Sequence, residues 1–197
     1  MLLIARANAE VKDKYGLTPL WWAVKSGHEA AVKVLLGMGK VKADEIDEWN
    51  GRTPLSWAAE RGHEAIVKIL ITMGNVFADA KYLNGRTPLS WASLRGHKAV
   101  VKVLLGIGKV EADTKDWDGR TPLSLAAQGR HDTVVKMLLA TGKVEADAKD
   151  KWNKRTPLWW AAVGGHEAVV KMLLGTGKAK ETQRTSGMDE RGATCIS

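Results

Sequence analysis

Residues 51–65 read GRTPLSWAAERGHEA, and the same line returns with few changes from residues 16, 85, 119 and 154. Its tripeptide Thr-Pro-Leu begins at Thr18, Thr53, Thr87, Thr121 and Thr156, in steps of 35, 34, 34 and 35. All five prolines of the chain fall in it, and the five histidines, His28, His63, His97, His131 and His166, each stand ten residues after the threonine. A fixed period of this length means that one supersecondary unit has been copied and stacked.

The unit can be read from its chemistry. Thr before Pro starts a helix, because the hydroxyl accepts from an unsatisfied backbone N–H and Pro fits the first helical position, where no donor is missed. Pro-Leu-Ser-Trp-Ala-Ala then forms a short apolar helix that stops near Gly62 or its counterparts, where left-handed backbone is allowed. His63 and the residues after it open a second helix, whose apolar positions recur every three or four residues and make one buried face. Gly39, Gly74, Gly108, Gly142 and Gly177 are expected to close these second helices. A stretch such as Lys109–Asp113 follows, then a tight turn at Asn50-Gly51, Asn84-Gly85 or Asp118-Gly119, pairs that tolerate positive φ.

The pattern D-x-x-G-x-T-P-L, then A-A, G-H and L-L with a final Gly, resembles the ankyrin repeat, here one or two residues longer than its usual form of about 33. The resemblance covers most of the chain and implies an all-α solenoid of stacked helix-turn-helix units joined by β-hairpin-like loops. It places five repeats at 13–47, 48–81, 82–115, 116–150 and 151–181, after a partial preceding repeat at 1–12. Residues 182–197 read as a polar tail or the degenerate start of a further repeat. The wording of the repeat is similar to ankyrin arrays of fungal multidomain proteins, which often carry a NACHT-type domain. Leu2-Leu3 and Ala7–Val11 align with the end of a second helix and its loop, and Asp189–Ser197 echoes Asp116–Ser124. The expectation is therefore a section of a longer array. Lys154 replaces the turn glycine and Arg130 the interhelical glycine, each at a cost on the order of 1 kcal/mol where the backbone is left-handed. Trp21, Ser56, Ser90, Ser124 and Trp159 stand where many ankyrin units carry a histidine after Thr-Pro-Leu.

Composition narrows the function. Residues of the AVILMFWYC set make up 45% and charged residues 26%, enough apolar content for a packed core and with no run long enough to cross a bilayer. The sole cysteine, Cys195, has no partner, which excludes a disulfide framework and a cysteine zinc site and suits a reducing compartment, cytoplasm or nucleus. The opening MLLIARANAE lacks the basic leader and apolar length of a signal peptide. Histidine is the commonest metal ligand, but stacked equivalent positions lie about 8–10 Å apart whereas zinc needs its nitrogens at about 2.0 Å. The histidines are therefore read as structural, and no metal or cofactor is expected. With no nucleotide-binding loop, His-Glu-x-x-His or Gly-x-Ser-x-Gly present, the chain is not expected to be an enzyme.

The net charge of +8 attracts acidic surfaces. Lys33, Lys68, Lys102, Lys136 and Lys171 form a ladder, yet four of them have an acid four residues earlier, Glu29, Glu64, Asp132 and Glu167, so a solvated, locally balanced helix face is the better reading. Trp22, Trp57, Trp91 and Trp160 are assigned to packing. Trp49, Trp117 and Trp152, with Leu83 and Lys14 at equivalent places, precede the hairpin turns, and Arg52, Arg86, Arg120 and Arg155 follow them. In ankyrin arrays the hairpin tips and first helices line the concave groove that meets partners, and Trp and Arg are the types enriched at binding hot spots. The expected contact set is Trp49, Arg52, Arg61, Leu83, Arg86, Arg95, Trp117, Arg120, Trp152 and Arg155, with Glu60, Leu94, Gln128 and Val163 beside it. The expected function is recognition of a protein with acidic and apolar surface by a monomeric module of a larger protein. Membrane binding is not expected. Nucleic-acid binding through a basic groove is the disfavoured rival, and a structural spacer or gene fragment the other.

Overall fold

Each Thr-Pro-Leu opens a helix by its threonine. Thr18, Thr53, Thr87, Thr121 and Thr156 hold extended backbone, and each Oγ1 accepts from the N–H three residues on at 3.2–3.3 Å. The computed structural model describes residues 8–186 apart from 49 and 50. Within them the first helices are α1 (Pro19–Lys25), α3 (Pro54–Arg61), α5 (Pro88–Arg95), α7 (Pro122–Gln128) and α9 (Pro157–Val163). The second helices are α2 (Glu29–Gly37), α4 (Glu64–Met73), α6 (Lys98–Gly106), α8 (Asp132–Ala140) and α10 (Glu167–Ser186).

The helices form two layers. First helices pack on first helices in chain order and second on second, and the first approach each other more closely; we call theirs the inner layer and the other the outer. Leu20, Leu55, Leu89 and Leu123 are fully buried between neighbouring units, and with Val32, Val67, Val101, Leu104 and Leu138 they belong to one continuous core. The loops that join the units are short hairpins. Asp47, Tyr82, Asp116 and Asp150 donate their N–H across them to the carbonyls of Arg52, Arg86, Arg120 and Arg155. Both turn residues take positive φ at Asn84-Gly85, whereas only Gly119 does so in the Asp118-Gly119 pair.

Hydrogen bonds between units fix the stacking distance. Nε2–H of His97, His131 and His166 donates to the carbonyls of Glu60, Leu94 and Gln128, at the ends of the preceding first helices, at 2.8, 2.9 and 3.1 Å. These three histidines are thus inter-repeat rungs, and none of His28, His63, His97 or His131 caps its own helix with its side chain. Gly96 shows why glycine precedes a rung: its φ is +74°, and a Cβ there would lie 2.3 Å from the His131 ring. On the loop side, Asp44, Asp79 and Asp113 accept the N–H of Phe77, Glu111 and Glu145 in the next unit at 2.9–3.1 Å.

One local expectation is corrected: the second helix of the fifth unit does not close at Gly177, and α10 runs on to Ser186. Gly74 does close α4, with right-handed backbone, and the left-handed step follows at Asn75 with φ +47°. Arg130 (φ +58°) and Lys154 (φ +57°) do take the strained conformations that their replaced glycines implied. The echoes of further repeats within residues 1–7 and 187–197 lie outside the described residues.

Leu104→Ala should lower unfolding free energy by about 2–5 kcal/mol in a urea melt, because the side chain is fully enclosed and leaves a cavity. Burial, with the positive charge of Arg61, lowers the pKa of His63 from 6.5. The stability this histidine contributes is therefore complete above the ordinary pKa and is lost as pH falls below it. Urea midpoints should drop between about pH 7.5 and pH 5.5, and drop less in His63→Gln; equal drops would remove His63 as the cause.

Candidate recognition face

Three of the hairpin arginines lie over tryptophans of the inner helices. The Arg52 guanidinium lies 3.9 Å from the Trp91 ring centroid and 5.3 Å from that of Trp57. Arg86 covers Trp91 at 4.8 Å, and Arg155 covers Trp159 and Trp160 at 3.9 and 5.2 Å. Arg61 and Lys25 complete the shell around Trp57 at 5.1 and 5.7 Å. Such contacts contribute about 0.5–1 kcal/mol when exposed and more when water is excluded.

Carboxylates hold these cations in place. Asp116, its side chain fully buried, accepts the N–H of Arg120 and Asp118 on Oδ1 and the guanidinium Nε–H of both Arg86 and Arg120 on Oδ2, at 2.8–3.3 Å. One carboxylate therefore shapes its own turn and ties it to the previous unit. Asp13, Asp47 and Asp150 receive hairpin N–H groups in the same way. Tyr82 stands where the third unit would carry this aspartate, and there the chain closes by a short 3-10 turn over Leu83–Gly85. Glu60 joins two units: Arg52 Nη1 and Arg95 Nη2 both donate to it, the latter at 2.7 Å. Burial pushes the Glu60 carboxyl up, but the hydrogen bonds and charges of Arg95 and Arg52 outweigh it and hold its pKa below the ordinary value.

The expected contact residues thus divide. Trp117 and Trp152 stand at successive hairpin tips, 64% and 70% exposed. The backbone N–H of Trp117 donates to the Asn84 carbonyl at 2.8 Å and its ring covers Gly85, while Trp152 Nε1–H donates to Asp118 at 3.2 Å. Arg61 and Arg95 are exposed. Arg52, Arg120 and Arg155 are half-buried, each partly engaged within the chain. Arg86 departs from the expectation: it is buried, 9% exposed, because Asp116 and Trp91 enclose it, and it serves as a tie between units. Trp49 and the side chain of Leu83 lie outside what is described. Of the tryptophans assigned to packing, Trp91 is buried and Trp57 and Trp160 are half-buried. Trp22 does not fit that assignment. It is 40% exposed, turned toward Asp13, to which its Nε1–H donates at 2.8 Å.

The lysine ladder lies on the outer layer. Lys68–Glu64 and Lys171–Glu167 close there as ion pairs at 2.6 and 2.5 Å. Among the described residues no group of His, Cys, Asp or Glu could hold a metal ion, and no helix is long and apolar enough to cross a membrane. Sequence reading named Glu60 only as an outward contact and missed its place between two arginines. It also left the turn aspartates as part of a pattern, although their regular return before each Thr-Pro-Leu was the available signal.

The chain matches the family model described as ankyrin repeats (3 copies) in four overlapping stretches, residues 1–80, 39–116, 73–150 and 107–185. It belongs to the ankyrin-repeat family. Arrays of this family are in general protein–protein interaction modules and typically scaffolds rather than enzymes. No curated protein matches the chain.

Glu60→Gln should lower stability at neutral pH by about 1–3 kcal/mol, since two guanidiniums lose a charged acceptor. With its folded pKa lowered, the Glu60 contribution is present above its ordinary value of 4.5 and is lost as pH falls through the folded pKa. Chemical melts of the two proteins should therefore differ at neutral pH and converge in acid; a constant gap would show that packing, not charge, is responsible.

Proposed function

We propose that the chain recognises a protein partner through the inner helices and hairpin tips, as the recognition part of a larger polypeptide. The observation that carries this reading is the exposure of Trp117 and Trp152 on adjacent tips. Large indoles held in water on a rigid backbone are what a partner covers, and Trp with Arg dominates binding energy at protein interfaces. The same face presents Arg61 and Arg95, so the partner carries apolar and acidic surface. Trp49 and Leu83 share the repeat position of the two exposed tips and are assigned to the contact set on that ground. Arg52, Arg120 and Arg155 belong at its edge, and Arg86 belongs to the scaffold. The role within a larger polypeptide is favoured by the likeness of the repeat wording to multidomain fungal arrays.

A nucleic-acid groove is the weaker reading because carboxylates interrupt the basic row. Glu60 and Asp118 sit against Arg52, Arg95 and Arg120, where a phosphodiester would be repelled.

A photo-crosslinking residue at position 152 should trap a protein, while one at Lys136, on the outer layer, should not. Trp117→Ala with Trp152→Ala should abolish binding of that protein and leave the thermal midpoint nearly unchanged. If the melt collapses, the tips are scaffold; if only position 136 crosslinks, the contact lies on the outer layer.

A further inference from the structure

We infer that Trp57 divides a composite peptide site, an apolar slot and a cationic slot one repeat apart. Its ligand is an extended segment of polyproline-II form bearing a bulky apolar side chain and a carboxylate three residues apart, which puts them on one face. The inference rests on the inner face being the binding face and specifies what that face reads.

On one side of Trp57 lies a cleft of about 360 Å³ between the first and second units, walled by Tyr15, Leu17, Trp21, Trp22 and Trp57 with Lys25 and the buried Asp47 beside them. Trp21 meets Trp57 edge to face at 5.4 Å, so the walls are fixed by packing. A concave, aromatic-lined cleft of this size suits one large apolar side chain. On the other side, between the second and third units, a pocket of about 640 Å³ is lined by Arg52, Trp57, Glu60, Arg61, Arg95 and His97. Three guanidiniums meet one carboxylate there. Glu60 is shared by Arg52 and Arg95, while Arg61 has a ring contact with Trp57 and no described carboxylate within ion-pair distance. Arg95 keeps its side chain 55% exposed. An incoming carboxylate therefore finds Arg61 unpaired and Arg95 with donors to spare, while Glu60 keeps Arg52 in place.

The spacing follows from the stack. Packed helices lie about 8–10 Å apart, and a polyproline-II chain advances about 3.1 Å per residue and brings every third side chain to the same face, so one repeat step corresponds to about three residues. A single-stranded nucleic acid fits less well. Lys25, Arg52 and Arg61 already crowd the Trp57 ring, so the indole has little face left for a base.

The test is an NMR titration of the intact chain, reading indole Nε1–H and arginine Nε–H signals. The probe is a blocked Ser/Gly hexapeptide carrying Leu and Glu at the stated spacing, with Leu→Ala and Glu→Gln analogues and oligothymidylate as comparisons. The parent peptide should shift the signals of Trp22 and Trp57 together with those of Arg61 and Arg95, saturably. Each analogue should bind about fivefold more weakly. In the chain carrying Arg61→Gln and Arg95→Gln, with signal dispersion unchanged, the parent and its Gln analogue should bind alike. The composite site is overturned if the Gln analogue binds as well as the parent to the unsubstituted chain, if one slot responds alone, if no saturable shift occurs, or if oligothymidylate shifts the same signals more strongly than the peptide does. Shifts confined to Trp117 and Trp152 would overturn it too, yet leave the inner face as the binding face.

Discussion

No unit of this chain can bury its apolar side alone, and that constraint governs the rest. The leucine of Thr-Pro-Leu is enclosed in four units because a neighbouring first helix lies against it, and the core is continuous from Leu20 to Leu173. Hydrophobic burial sets only an approximate distance between units. The directional contacts refine it: imidazole to carbonyl at the helix ends, carboxylate to N–H at the loops, and Asp116 to Arg86 between hairpins. The first two kinds recur about every 34 residues, so the stack is held in register along its length rather than at one point.

The same register creates the surface. Arg52, after the turn of the second unit, falls over Trp91 of the third, while Arg86 and Arg155 lie over indoles of their own units. The guanidinium is then shared between holding two units together and facing outward, and the local carboxylates decide the balance. Where Asp116 and Trp91 enclose Arg86, it becomes structural. Where Glu60 already serves Arg52 and Arg95, the third cation, Arg61, has no described carboxylate within ion-pair distance. The proposed recognition face is held by contacts within the chain, so a ligand would meet it with little ordering cost.

Much of this was legible in the sequence. The period, the helix starts, the left-handed steps at Arg130 and Lys154 and the structural role of the histidines follow from local chemistry, which the neighbours do not override. The length of α10 did not follow, because Gly175 and Gly177 permit a helix to continue as well as to stop. The burial of Arg86 was hidden for another reason. It depends on Asp116 arriving from the adjacent unit, and a repeat pattern shows equivalence between positions without showing the variation in their neighbours. Glu60 looked outward for the same reason: Arg95, its second partner, stands 35 residues away.

The central claim is that the inner face is a peptide-reading surface. Selection from an unbiased displayed-peptide library on the intact immobilised chain tests it most directly. The account predicts enrichment of sequences that place a bulky apolar residue near an acid, with selected peptides competing for one another's binding and losing it when Trp57 is replaced in a chain that still folds. Enrichment of basic peptides, or a recovered pool no different from a blank surface, would contradict it.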